Sequence, residues 1–206
     1  MRRLILFLLA LSFPAAAWAG AQQYEPLSDS VRAALSKTIA DQAPPRSSFR
    51  DPLEATDWLS EMSRRLAKRI PNRDSRHQIL RAVHYEATRA GLDPQLVLGL
   101  IQVESGFKKY AVSSAGARGL MQVMPFWVKL IGGKGDNLFH LRTNLRYGCT
   151  ILRHYLDIEQ GDLFRALGRY NGSLGRAEYP NLVRNAWQKQ WSYVAKDKEQ
   201  KPLNAS

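Results

Sequence analysis

The chain has 206 residues, 45% of them hydrophobic and 23% charged, which fits a soluble globular domain with room for a core and excludes a disordered or fibrous protein. A formal net charge of +12 favours polyanionic partners, whether nucleic acid, an anionic membrane surface or an acidic polymer, and does not choose among them. A single cysteine, Cys149, excludes an intramolecular disulfide.

Taken in order, residues 1–19 have the make-up of a secretory signal peptide. Arg2 and Arg3 form a positive n-region, Leu4–Phe13 is an apolar run too short for a comfortable membrane span, and Ala17-Trp18-Ala19 is an A-x-A cleavage pattern. No cysteine follows the cleavage site, so a lipid-anchored lipoprotein is not expected. Residues 20 to about 50 form a weakly structured leader in which Val31, Ala34, Leu35 and Ile39 can line one helical face. Ala43-Pro44-Pro45-Arg46-Ser47-Ser48 is a linker.

A long helix then begins at Asp51-Pro52-Leu53-Glu54, with an N-cap, a proline at the first position and an acid at the third. Its apolar stripe is Ala55, Trp58, Leu59, Met62, Leu66 and Ile70; Arg64, Arg65, Lys68 and Arg69 take the other face, and Pro71-Asn72 ends it. Asp74 or Ser75 caps the next helix, whose stripe is Ile79, Leu80, Val83 and Ala87, with Gly91 at its end. His77 and His84 lie seven apart with no third ligand at metal-site spacing, so they are packing or surface residues. Asp93-Pro94 opens a third helix that is apolar nearly all round, from Leu96 to Val103, and therefore buried.

Further on, the pattern predicts helices over Gly119–Ile131, stopped by Gly132-Gly133, over His140 to about Gln160, and from an Asp162 cap through Arg169. Asn171-Gly172-Ser173 is a turn, Tyr179–Tyr193 a last helix with Val183, Trp187 and Trp191, and the tail from Lys196 is polar. Cys149 sits in a helical apolar context with His154 off its face, which suits a small buried hydrophobe and not a nucleophile. No strand run, long repeat or nucleotide-binding glycine pattern stands out. The fold class is all-α.

The chemistry concentrates in Val103–Pro125. Glu104 ends the apolar helix, and a loop rich in glycine and serine follows; no other acid occurs from Ser105 to Gly135. An unperturbed Glu titrates near about 4.3 and is a poor acid at neutral pH. Leu100, Ile101, Val103 and Phe107 can desolvate Glu104, and the carbonyl end of a helix disfavours its charge. Such a group can protonate the leaving oxygen of a glycosidic bond. The plain alternative is a Glu paired with Lys108 or Lys109 at the surface. Glycosidases ordinarily use two carboxylates. Asp136, Asp157, Glu159, Asp162 and Glu178 are available, none in a suggestive context. If Glu104 acts alone, a substrate N-acetyl group must stabilise the developing cation, and a hydroxyl of the same sugar must be the nucleophile.

Four stretches carry a family resemblance: Glu104-Ser105-Gly106-Phe107, Ala111–Ala117, Gly119-Leu120-Met121-Gln122-Val123-Met124-Pro125 and Tyr170-Asn171-Gly172. From about Leu80 to Tyr193, over half the chain, the sequence resembles the lytic transglycosylases with the soluble-lytic-transglycosylase catalytic domain, which have a goose-type, lysozyme-like helical fold. The resemblance implies that Glu104 is the acid/base and that Ser105 hydrogen-bonds near the substrate N-acetyl or C6 hydroxyl. It implies further that Met121 and Gln122 line a sugar subsite, that Tyr170 orients Glu104 through its phenol, and that Asn171 binds an N-acetyl group. Met121 could equally fill the core, and Tyr170 could be a packing residue. Arg169 stands where the family commonly has Ala, and Lys108-Lys109 where it often has Asn-Pro.

The implied domain plan is a signal peptide (1–19), an N-terminal leader and helical extension (20–74), a lysozyme-like catalytic domain (75–195) and a polar tail (196–206). The implied protein is a periplasmic monomer that needs no metal or cofactor and binds no nucleic acid. Its partner is the glycan strand of peptidoglycan, with cell-wall or secretion machinery as candidate recruiters. It would cut the β-1,4 bond between N-acetylmuramic acid and N-acetylglucosamine without water. The rivals are a hydrolytic muramidase and a non-catalytic wall-binding or assembly protein.

Overall fold

The helix whose last turn carries Glu104 is buried on nearly every side. The computed structural model describes residues 22–41, 49 and 52–194; the expected signal peptide, the Ala43–Ser48 linker, the Asp51 cap and the tail from Lys196 lie outside them. In chain order the helices are α1 (Asp29–Ala40), α2 (Pro52–Leu66), α3 (Arg73–Arg89), α4 (Pro94–Ser105), α5 (Phe126–Ile131), α6 (Leu141–Ile158), α7 (Leu163–Asn171) and α8 (Glu178–Ala186). A π-helical turn, Trp187–Trp191, continues α8. Among the described residues there is no strand, only isolated bridges. The architecture is all-α.

α4 starts as its sequence dictates: the Asp93 carboxylate accepts from the Gln95 N–H at 2.7 Å, and Pro94 occupies the first position, where no N–H is needed. Every residue from Leu96 to Ile101 is buried, and a fully buried Leu or Ile contributes about 1.5–3 kcal/mol. α3, α8 and the π-helical turn pack around it. Gly99 permits the closest approach, because a Cβ there would lie 2.8 Å from the Trp187 backbone nitrogen. The indoles hold both ends of α4: Trp187 Nε1 donates to Asp93 at 3.1 Å and Trp191 Nε1 to Gln102 at 3.0 Å.

A buried ion cluster ties α3 to α6 and both to α1. Arg146 donates to the two Glu86 oxygens at 3.2 and 3.1 Å, and Arg89 Nε to Glu86 at 3.1 Å. The same arginines donate to the Thr38 and Ile39 carbonyls at 2.9 and 3.2 Å, so they also close the open C-terminal end of α1. The segment taken from sequence as a weakly structured leader therefore contains an ordered helix, with Ile39 buried against α6 and Leu35 against the core.

Several predicted boundaries move: α7 runs past Arg169 to Asn171, the last helix is α only to Ala186, and three further changes have identifiable causes. α2 stops at Leu66, short of Pro71, where the chain turns through Ala67–Arg69 and Arg76 collects the Ile70 and Pro71 carbonyls at 2.9 and 2.6 Å. The cap of α3 is Asn72, whose side chain accepts from Ser75 N–H at 2.8 Å, and neither Asp74 nor Ser75. The predicted helix Gly119–Ile131 survives only as α5. Arg118 and Val123 instead exchange backbone hydrogen bonds at 2.9 and 3.0 Å, closing Gly119–Gln122 into a tight loop with positive φ at both ends (77° and 48°). Pro125 then serves α5 as its cap residue.

Candidate active site

Glu104 occupies the last turn of α4 and is 4% exposed. The turn beyond it is held in one shape. Gly106 is left-handed at φ 58°, and Phe107 follows at φ 68°, an uncommon conformation for a residue with a Cβ. Burial of the Phe107 ring against Trp191, at 5.4 Å between centroids, offsets that strain. Lys108 and Lys109 point away into solvent, Lys109 with its ammonium 5.2 Å over the Tyr110 ring. The surface ion pair considered from sequence is thus set against a carboxyl group that is itself buried.

Tyr179, fully buried at the start of α8, donates its phenol O–H to Glu104 Oε1. Burial and then the Glu104 charge hold that phenol well above the ordinary tyrosine range, so it keeps its proton to give. Tyr170, equally buried on α7, is raised by the same two causes in the same order and so also lies in the field of Glu104. Its single proton goes elsewhere, to the Met121 carbonyl at 2.8 Å. In this structure the phenol hydrogen-bonded to Glu104 is Tyr179's, while Tyr170, expected from the resemblance to orient the acid, is bonded to the loop. Tyr179 escaped the sequence reading; its one signal is its place at the head of the Tyr179–Val183–Ala186 stripe that α8 turns toward α4.

The other expected site residues gather around the same loop, though most of their polar atoms serve the protein. The Ser105 hydroxyl lies 2.8 Å from the Leu120 carbonyl and 3.2 Å from that of Ile101, joining α4 to the loop. Met121 is wholly buried; its N–H donates to Asn144 Oδ1 at 2.8 Å and its sulfur lies 3.9 Å from that of Cys149. Gln122 is 1% exposed, and its amide donates to the Gly119 and Ala111 carbonyls at 2.9 and 3.2 Å. Asn171 ends α7, buried, just before the left-handed Gly172. Asn144, not singled out from sequence, is the loop's hub: besides Met121 it donates to the Arg118 and Leu138 carbonyls at 2.8 and 2.9 Å. Gly119 must be glycine here, since a Cβ would meet Asn144 Nδ2 at 2.4 Å and φ is 77°.

Of the five other carboxylates considered as partners for Glu104, four have other engagements and one is exposed. Asp136 accepts from the Tyr147 phenol at 2.6 Å and from Gly133 N–H at 3.0 Å. Asp157 pairs with Arg153 at 2.7 Å, Glu159 with Arg165 and Arg169, and Asp162 caps α7 through Arg165 N–H at 3.0 Å. Glu178 is exposed in the first turn of α8. Cys149 is fully buried and its thiol is pushed far up by burial, in keeping with a core residue.

The family model of the transglycosylase SLT domain matches residues 81–192. The transglycosylase of Enterobacteria phage PRD1 is 39% identical over 88 residues, 43% of this chain and 32% of the phage protein. Membrane-bound lytic murein transglycosylase C of Histophilus somni (strain 2336) is 36% identical over 121 residues, 48% of this chain and 33% of that protein. The chain thus spans about a third of the length of these curated relatives. A crystal structure of the lytic transglycosylase Slt from Pseudomonas aeruginosa is 23% identical, covering 53% of this chain and 21% of that one, at a TM-score of 0.40.

Proposed function

The chain belongs to the transglycosylase SLT domain family, and we propose that it is a peptidoglycan lytic transglycosylase that uses Glu104 as its one acid/base. The observation that carries this reading is a buried carboxyl group at the end of α4, held by the Tyr179 phenol, with the five other carboxylates weighed for the role engaged elsewhere or exposed. A solitary acid suits a reaction whose nucleophile comes with the substrate.

The steps follow from that. Protonated Glu104 gives its proton to the oxygen linking N-acetylmuramic acid to N-acetylglucosamine, and the C1–O bond breaks. The N-acetyl group of the muramyl residue stabilises the cation at C1. The Glu104 carboxylate then takes the proton of the C6 hydroxyl as O6 bonds to C1, which leaves a 1,6-anhydro end and returns the acid to its starting form. No water is consumed. Gln122, Met121 and Tyr170 support this chemistry by holding the loop beside the acid, Ser105 by joining that loop to α4, and Asn171, buried next to Tyr170 at the end of α7, is the candidate contact for an N-acetyl group.

The basic surface suits a wall polymer whose peptides carry carboxylates. We place the enzyme in the periplasm on the strength of the residue 1–19 pattern. No helix among the described residues is long and apolar enough to cross a membrane. Digestion of purified peptidoglycan with mass analysis of the fragments tests the reaction: anhydro ends, one water lighter than reducing ends, are expected, and reducing ends alone would make the protein a muramidase. Glu104→Gln should abolish either activity; full activity in that variant would refute the acid role of Glu104, and no fragment release by the wild-type chain would leave only a wall-binding role.

A further inference from the structure

Ahead of α1 the chain lies as an extended strap, and one residue of it is unlike its neighbours. Residues 23–26 are exposed, whereas Gln22 is 3% exposed. Its carboxamide is inserted into the loop that follows Glu104. Gln22 Oε1 accepts from Met124 N–H at 3.2 Å, and Gln22 Nε2 donates to the Gln122 carbonyl at 3.4 Å. The Tyr170 phenol, which donates to the Met121 carbonyl at 2.8 Å, pins the same loop. An amide that accepts from one backbone N–H and donates to a nearby backbone carbonyl makes the same two contacts that the acetamido group of an N-acetyl sugar can make.

Leu27 anchors the strap to the core where it meets α1, while the part nearer Gln22 lies at the surface. Tyr24 is 60% exposed, its ring 5.7 Å from that of Phe126 in an edge contact. Glu25 pairs at 3.2 Å with Arg169, the residue that stands where the resembling family commonly has Ala. Arg169 is itself braced by Glu159, so the strap is clipped to α7 beside Tyr170. A buried polar peg on an exposed strap can be withdrawn at the cost of a few hydrogen bonds, which its groups remake with water.

We propose that Gln22 occupies an acetamido subsite formed by the Gln122 carbonyl and the Met124 N–H, and that the strap must lift for an N-acetylated glycan to bind. This rests on the wall-glycan reading above. The strap then acts as an internal competitor. The apparent Kd for glycan is then the intrinsic Kd divided by the fraction of molecules in which the peg is withdrawn.

Titration calorimetry with tetra-N-acetylchitotetraose, on the full mature chain carrying Glu104→Gln, tests it. Adding Gln22→Ala should tighten Kd roughly ten-fold, and Glu25→Ala, which removes only an exposed ion pair, roughly two-fold. An unchanged or weaker Kd in Gln22→Ala, with a lowered melting temperature, would make Gln22 a structural part of the wall and overturn the proposal; so would absence of binding in both chains. Wild-type protein and Gln22→Ala, with Glu104 intact, are digested with peptidoglycan in parallel. Tightened oligosaccharide binding with no fragment release from either would overturn the proposed reaction and leave the subsite standing.

Discussion

The Tyr179 phenol reaches across 75 residues of sequence to donate to Glu104, so the first turn of α8 fixes the last turn of α4. Acid and positioning group thus sit on two helices whose spacing is set by Gly99 and Trp187. Tyr179→Phe keeps the ring and removes only the hydrogen bond. We expect kcat on peptidoglycan to fall by about ten- to a hundred-fold with KM little changed, since losing a charge-assisted hydrogen bond of about 1.5–3 kcal/mol would misplace the acid without altering the cleft. Steady-state fragment release over a range of substrate concentrations checks the split.

Gly99→Ala tests the helix spacing. An added methyl gains up to about 1 kcal/mol of helix propensity, but its Cβ would come within 2.8 Å of the Trp187 backbone, where nothing flexible can yield. Overpacking of this kind costs about 1–3 kcal/mol. The net expectation is a lower melting temperature by circular dichroism together with weakened activity, because α8 carries Tyr179 away with it.

Asn144→Ala removes the hub of the loop Gly119–Gln122. The Met121 N–H and the Arg118 and Leu138 carbonyls lose their partners together, and a buried group left unsatisfied costs about 1–3 kcal/mol. Some of these groups regain water as the loop loosens, so a destabilisation of about 3 kcal/mol by urea unfolding is expected. Faster hydrogen exchange should appear at residues 119–123 before it appears in α6.

Stability should carry one identifiable acid limb from the surface. Hydrogen bonds from Arg64 and then Arg65 hold the Glu61 carboxyl down at about 2. Its folded pKa lies below the unfolded value of about 4.3, so the stabilisation is fully present above that value and is lost as pH falls toward 2. Solvent screening keeps it under about 1 kcal/mol. Arg65 also donates to the Gln190 and Ser192 carbonyls at 3.0 and 2.7 Å, which pins the end of the π-helical turn. Glu61→Gln should therefore be less stable than wild type at pH 6, with the gap closing by pH 2; a gap that persists there would point to packing instead of charge.

Much of this architecture is local, and local physics is legible in a sequence. Asp93-Pro94 and Asp162 announce their helices because a cap and its helix are neighbours in the chain. The apolar circumference of Leu96–Ile101 announces a buried α4, and with it the placing of Glu104 at a buried helix end. The loop Gly119–Gln122 misleads for the same reason in reverse. Its residues have acceptable helix propensity, and only pairing of Arg118 with Val123 and the grip of Asn144 hold them in another shape.

By itself, then, the sequence determined an all-helical chain, its buried central helix, and a lone acid followed by a loop bearing the family's motifs. Helical periodicity, capping and the absence of a neighbouring carboxylate are all written in consecutive residues. Only the tertiary structure decided which phenol holds Glu104, that Tyr170 serves the Met121 carbonyl, and that Gln22 enters the loop beside them. Those choices depend on where single protons and single amides find partners across 49 to 102 residues of chain, and no periodicity records that.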